Sequence, residues 1–135
     1  MSVRRLAWIV GTALSVMFVN VVLSVLYIAF YSYFINPGHD ERFYQEYAAV
    51  AAPYCSIVAG IPLFYFACRR LGAKWEADFA VKAALLVWLV YALIDLFVLT
   101  AAGWTTQLAV LSVISMTTKL IAAYFGGKAA SRKTN

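Results

Sequence analysis

Charged side chains are scarce in this sequence of 135 residues. They make up 13% of the chain, against about 25% in a typical soluble domain, while apolar side chains make up 64%. A water-soluble domain of this size would have too little polar surface to cover its core. The composition therefore excludes an ordinary soluble domain and favours an integral membrane protein.

Residues that carry enzyme or metal chemistry are equally few. His39 is the only histidine, beside Asp40 and Glu41, and three consecutive residues on a turn rarely converge on one metal ion. Cys55 and Cys68 lie on one predicted helix, about 20 Å apart at 1.5 Å per residue, so they cannot form a disulfide with each other. The sequence also has no phosphate-binding loop and no nucleophile–base set. We therefore predict no metal, no cofactor and no catalytic residue, and we expect that the protein is not an enzyme.

Four long apolar segments occupy most of the chain, at about residues 6–35, 47–68, 79–102 and 105–125, each long enough to cross a hydrocarbon core of about 30 Å as a helix. We predict an all-α integral membrane protein, a four-transmembrane-helix bundle that forms a single domain over residues 1–135. Gly103 and Trp104 predict a tight turn between the last two helices. Gly126 and Gly127 predict the end of the last helix, with residues 128–135 as a basic cytoplasmic tail.

The basic residues are distributed unevenly between the two sides of the predicted bundle. Nine of the eleven lie in or beside the termini and the middle connector: Arg4, Arg5, Arg69, Arg70, Lys74, Lys82, Lys128, Arg132 and Lys133. This positive-inside pattern places both termini in the cytoplasm. Because these residues flank apolar segments, the formal charge of +5 predicts contacts with anionic lipids rather than with nucleic acid. The compact loops favour the inner membrane of a bacterium.

Small residues recur every four positions on the second apolar segment, at Ala48, Ala52, Ser56 and Gly60. This spacing lines one helix face and lets a neighbouring backbone approach closely. We interpret it as a packing face, either inside the bundle or across a homodimer; a pore lining is the other interpretation. Pro53 and Pro62 predict an irregular helix here.

Asp95 is the only acidic residue within a predicted span, and Lys119 lies inside the last one. Measuring depth from the tight turn brings the two helices into register, so that the side chains lean toward each other. One interpretation is a stretched or water-bridged ion pair, with Trp88, Tyr91 and Ser112 nearby; the other is that Lys119 snorkels to the cytoplasmic interface. Asp95 itself is either a structural partner or a proton- or ligand-linked site.

A polar and aromatic stripe follows the first two helices, with Asn20, Ser24 and Tyr27 on the first and Tyr54 on the second. If it converged with Asp95, the bundle would hold an aromatic-walled pocket suited to a cation or a small amphiphile. The alternative is a set of interhelical hydrogen bonds that only stabilise the bundle.

Two functions follow from these patterns. The first is transporter- or channel-like passage of a small cation, a proton or an amphiphile in a homo-oligomer, because four helices cannot enclose much of a pathway. The second is a structural or accessory subunit that packs against a larger membrane complex. A lipid-modifying enzyme is a weaker third reading, since no catalytic set is visible.

Overall fold

The computed structural model describes residues 2–133 and contains no strand in that range. Its helices are α1 (Val3–Phe30), which continues into a π-helical segment (Tyr31–Ile35), α2 (Glu41–Gly72), α3 (Ala77–Ala102) and α4 (Thr106–Lys133). The predicted all-helical fold is confirmed, and all four helices are long and apolar enough to span a membrane.

Short polar side chains begin α1 and α2. Ser2 Oγ accepts a hydrogen bond from the backbone N–H of Arg5 at 3.3 Å, and Asp40 Oδ1 accepts one from the N–H of Phe43 at 3.0 Å. Each oxygen satisfies a backbone donor that has no partner within the first turn. Gly103, with φ of 101°, ends α3 and makes the tight turn that the sequence predicts.

The helices alternate in direction. Arg5 Nη2 lies 3.0 Å from Glu76 Oε2, and Lys74 Nζ lies 3.9 Å from the centre of the Trp8 ring. The beginning of α1 is therefore beside the connector of residues 73–76. Because Gly72 packs against Ala130, the last turns of α4 reach this same end. We call it the terminal end, and the opposite end, with residues 36–40 and 103–105, the hairpin end.

Burial is concentrated in the half of the bundle nearer the terminal end. The core there is built from these side chains: Ile9, Ala13, Val16, Phe64, Cys68, Leu71, Ala84, Val87, Ala122 and Ala123. Toward the hairpin end the packing loosens. Tyr91 is the last buried residue of α3, although the helix continues to Ala102, and α2 has one buried residue, Ala51, before Gly60. The bundle is thus closely packed in its terminal half and more loosely packed in its hairpin half.

The predicted end of the last helix at Gly126 and Gly127 is wrong, because α4 runs through both glycines to Lys133. These glycines are points of close contact. A Cβ on Gly127 would lie 2.8 Å from the Cβ of Ala84, and one on Gly126 would collide with the carbonyl oxygen of Tyr65. Residues 128–133 therefore extend the helix, while the last two residues of the predicted tail lie outside the described range.

Candidate functional site

Lys119 lies midway along α4 and is only 1% exposed. Its ammonium donates hydrogen bonds to Ser56 Oγ at 2.7 Å and to Tyr91 Oη at 3.1 Å. The same Nζ stands 4.6 Å from the centre of the Tyr91 ring, where the negative face of the ring attracts a cation. Of the two sequence interpretations, the structure favours a buried network over snorkelling.

Asn20 of α1 completes the network. Its Nδ2 donates to Ser56 Oγ and to Tyr91 Oη, both at 3.1 Å, and the residue is 3% exposed. We call Asn20, Ser56, Tyr91 and Lys119 the Lys119 cluster. Each comes from a different helix, and each lies near the middle of its candidate span. A polar cluster at this level would sit near the bilayer midplane, where unsatisfied polar groups are costly.

The hydrogen bonds of the cluster leave some capacity unused. Asn20 Oδ1 is buried and has no hydrogen-bond partner within residues 2–133. The ammonium carries three N–H donors, of which two bond to hydroxyl groups. No carboxylate forms an ion pair with Lys119 in the part of the chain that the structure describes. The cluster therefore combines a positive charge with neutral partners and an unfilled acceptor.

Gly60 provides the space that Lys119 occupies. A Cβ at this position would lie 2.5 Å from Lys119 Cε and 3.3 Å from its Cγ. Ser56 and Gly60, two members of the predicted packing face, thus lie on the side of α2 that faces α4 inside the bundle. Ala52 is half-buried, and Ala48 lines a groove near the hairpin end. The homodimer interpretation of this face stays a prediction.

Asp95 lies one turn beyond Tyr91 on α3, toward the hairpin end, and is partly exposed. Lys119 is near enough to act on it electrostatically, but Asp95 forms no hydrogen bond or ion pair with any described residue. The described residues thus show no direct ion pair between Asp95 and Lys119, and the water-bridged pair stays a prediction. Trp88 reaches α4 one turn from Lys119, where its indole N–H donates to the carbonyl oxygen of Met116 at 2.9 Å. The ring that the ammonium contacts is that of Tyr91.

Among the described residues, the tyrosines of the predicted stripe line a groove that does not include Asp95. Tyr27 and Tyr54 line an open groove of about 550 Å³ between α1 and α2, and the Tyr27 and Tyr47 hydroxyls lie 3.0 Å apart on its edge. Ser24 is buried and donates to the carbonyl oxygen of Asn20 at 3.1 Å. Ser112 is half-buried on α4. Of the residues proposed from the sequence, the cluster unites three: Asn20, Tyr91 and Lys119.

Sequence reasoning missed the role of Ser56, which it assigned to helix packing. The signal was available, because Ser56 carries the only hydroxyl among the four small residues of that face. His39 is occupied locally, with Nε2 3.0 Å from Asn36 Oδ1 and its ring stacked on Phe43. No group of three metal-ligating side chains converges in the described range.

Comparison with known proteins identifies no relative: no protein-family model, no curated protein and no solved structure matches the chain. Function therefore has to be inferred from the geometry of the Lys119 cluster and its surroundings.

Proposed function

We propose that the chain is a four-span transport protein of the bacterial inner membrane, with both termini in the cytoplasm, that moves a proton or a small anion through a site centred on Lys119. One observation carries the proposal. A lysine buried at the middle of four apolar helices contacts neutral polar side chains from two of them, and Asn20 on the remaining helix joins the same two hydroxyls.

The charge of the cluster narrows the transported species. An ammonium repels other cations, so a small metal ion or organic cation is a poor fit for this site. A proton or an anion fits better, since Lys119 can exchange its own proton or attract negative charge. The unfilled acceptor of Asn20 offers a place for water or for a proton donor.

Hydroxyl partners suit a lysine that changes its protonation state. A hydroxyl both accepts and donates, so Ser56 and Tyr91 can accept from the charged ammonium and donate to the neutral amine. A carboxylate partner would instead hold the amine in its charged form. Asp95 lies between the hairpin end and the cluster and is suited to pass a proton toward Lys119. The closely packed terminal half would have to open before the proton could leave on that side.

The basic residues support the proposed orientation. Arg4, Arg70 and Lys74 lie at the terminal end, as does Lys128 in the last turns of α4, and such residues are retained on the cytoplasmic side. A single chain whose centre is filled encloses little of a pathway, so we propose a homo-oligomer, in which Asp95 could also meet a partner absent from one chain.

Charge movement across proteoliposomes tests the proposal. Purified protein is adsorbed on a solid-supported membrane and exposed to a pH step and to a panel of small anions. We expect a transient current from the wild type, loss of the current in Lys119→Met, and no change in the control Lys82→Met, which removes an exposed lysine of α3.

Tyr91→Phe guards against a folding artefact, because it removes one hydroxyl and leaves the ring in place. It should reduce the current while size-exclusion behaviour and helical content match the wild type. A silent wild type across the pH step and the anions, or a full current in Lys119→Met, would show that the proposal is wrong.

A second candidate function, an accessory subunit, is favoured by Asp95. A carboxylate without a described partner in an apolar span costs free energy, and a basic residue of another membrane protein would relieve that cost. Asp95→Asn separates the two functions. Loss of a co-purifying protein supports the accessory role, whereas a reduced current with unchanged partners supports transport.

A further inference from the structure

A groove between α1 and α2 opens on the side of the bundle near the terminal end, with a volume of about 630 Å³. Its wall consists of small and apolar residues: Ala7, Gly11, Val16, Ala67 and Leu71. Thr12 and Ser15 also line it, but their hydroxyls donate to carbonyl oxygens of α1 at 2.8 Å. The wall therefore presents mainly apolar surface to the bilayer.

Three cationic side chains line this groove: Arg4, Arg70 and Lys74. None of the described residues that line it is acidic. Within residues 2–133, neither Arg4 nor Arg70 forms an ion pair or a side-chain hydrogen bond, and Lys74 lies over the face of Trp8. By contrast, the neighbouring Arg5 is paired with Glu76. The groove thus gathers positive charge that no ion pair with another described residue neutralises.

The dimensions of the groove match an elongated amphiphile. From Arg4 to Val16 it follows α1 for about 18 Å at 1.5 Å per residue. The charged side chains are at the terminal end, while the apolar wall leads toward the middle of the bundle. Gly11 leaves a notch in this wall, because a Cβ at that position would meet no atom within 4 Å.

We propose that this groove is a binding site for one anionic phospholipid of the cytoplasmic leaflet. The phosphate lies among Arg4, Arg70 and Lys74, and an acyl chain lies along the wall past Gly11. Guanidinium groups bind phosphate oxygens through paired hydrogen bonds, and lysine adds a point charge. Basic pockets between helices on the cytoplasmic side hold anionic head groups in this way. The site requires membrane insertion but not transport activity.

Native mass spectrometry of the full chain tests this site. Delipidated protein in detergent is titrated with phosphatidylglycerol and, separately, with phosphatidylcholine. We expect one phosphatidylglycerol to be retained preferentially. The triple variant Arg4→Gln, Arg70→Gln, Lys74→Gln should bind it at least about tenfold more weakly, since each basic residue near an anionic surface strengthens the attraction.

A charge-matched control separates the groove from net charge. Lys82→Gln, Lys128→Gln and Arg132→Gln together remove the same number of charges outside the groove, and this variant should retain the lipid. Gly11→Leu keeps every charge and fills the notch, so it should weaken binding without loss of helical content.

Three results would overturn the proposal. These are retention of phosphatidylcholine equal to that of phosphatidylglycerol, lipid binding weakened as much by the charge-matched control as by the triple variant, or full lipid binding by the triple variant. The variants in the groove change exposed side chains without described ion pairs, so misfolding is not expected. A negative result in this binding experiment would not contradict the transport proposed for Lys119, because the two experiments use different variants and different readouts.

Discussion

Gly60→Ala is the sharpest test of the buried position of Lys119. The added Cβ would lie 2.5 Å from Lys119 Cε, whereas ordinary contact begins at 3.4 Å, so the lysine chain must move by about 1 Å. Lys119 is enclosed, with 1% exposure, and its ammonium is held by Ser56 and Tyr91. The displacement therefore strains the side chain or breaks one of these hydrogen bonds.

The expected magnitude follows from two opposing effects. Overpacking in a well-packed interior costs about 1–3 kcal/mol, while replacing glycine by alanine within a helix gains about 0.8–1.0 kcal/mol. Gly11→Ala is the matched control, because its Cβ would meet nothing within 4 Å. The helix gain is the same in both variants, so we expect Gly60→Ala to be less stable than Gly11→Ala by about 1–3 kcal/mol.

Reversible unfolding in mixed detergent micelles, followed by far-UV circular dichroism, measures this difference. Repeating the pair of variants in a Lys119→Ala background removes the atoms that the new Cβ would meet, so the difference should fall close to zero. If Gly60→Ala stabilises the wild-type protein as much as Gly11→Ala does, Lys119 does not pack on Gly60 and the cluster is not formed as described.

The remaining predictions concern stability, measured by the same unfolding assay. Gly127→Ala should be less stable than Gly11→Ala by about 1–3 kcal/mol, since its Cβ would lie 3.1 Å from backbone atoms of α3 that cannot rotate away; equal stability of these two variants would contradict the close α3–α4 packing. Trp88→Phe should cost about 0.5–1.5 kcal/mol through loss of the hydrogen bond to Met116, and an unchanged stability would show that this bond is not formed. Glu76→Gln should cost less than about 1 kcal/mol, because its ion pair with Arg5 is exposed; a larger loss would reveal a role at the terminal end beyond that pair.

The helices could be predicted from the sequence because hydropathy and length act locally along the chain. Four apolar runs with few charges allow one structure in a bilayer, and Gly103 determines the turn between α3 and α4. That turn also fixes the relative depth of the two helices. The depth argument accordingly predicts Trp88 and Lys119 at nearby levels, and the structure places the Trp88 indole N–H against the Met116 carbonyl oxygen, one turn from Lys119.

The partner of Lys119 on α2 could not be predicted with the same method. No turn connects α2 to α4, so the rotation of α2 about its axis depends on packing between helices distant in sequence. Ser56 and Gly60 therefore looked like a packing face without a known neighbour. The sequence prediction at the two glycines of α4 is wrong for a related reason. A glycine pair indicates either a helix end or a close contact, and only the distance between Gly127 and Ala84 shows that this pair marks a close contact.

The position of the Lys119 cluster connects its chemistry to the shape of the bundle. Toward the terminal end it is bounded by closely packed side chains such as Phe64 and Val87, both 0% exposed. Toward the hairpin end it faces the looser half, where Asp95 is partly exposed. A polar group in a purely structural role has no need to lie at such a boundary. Under the proposed function, this position would let Lys119 receive a proton or an anion from the looser half while the closely packed half keeps the other side closed. If the proposed transport takes place, the closely packed half has to loosen, and the close contacts of Gly126 with Tyr65 of α2 and of Gly127 with Ala84 of α3 would have to shift.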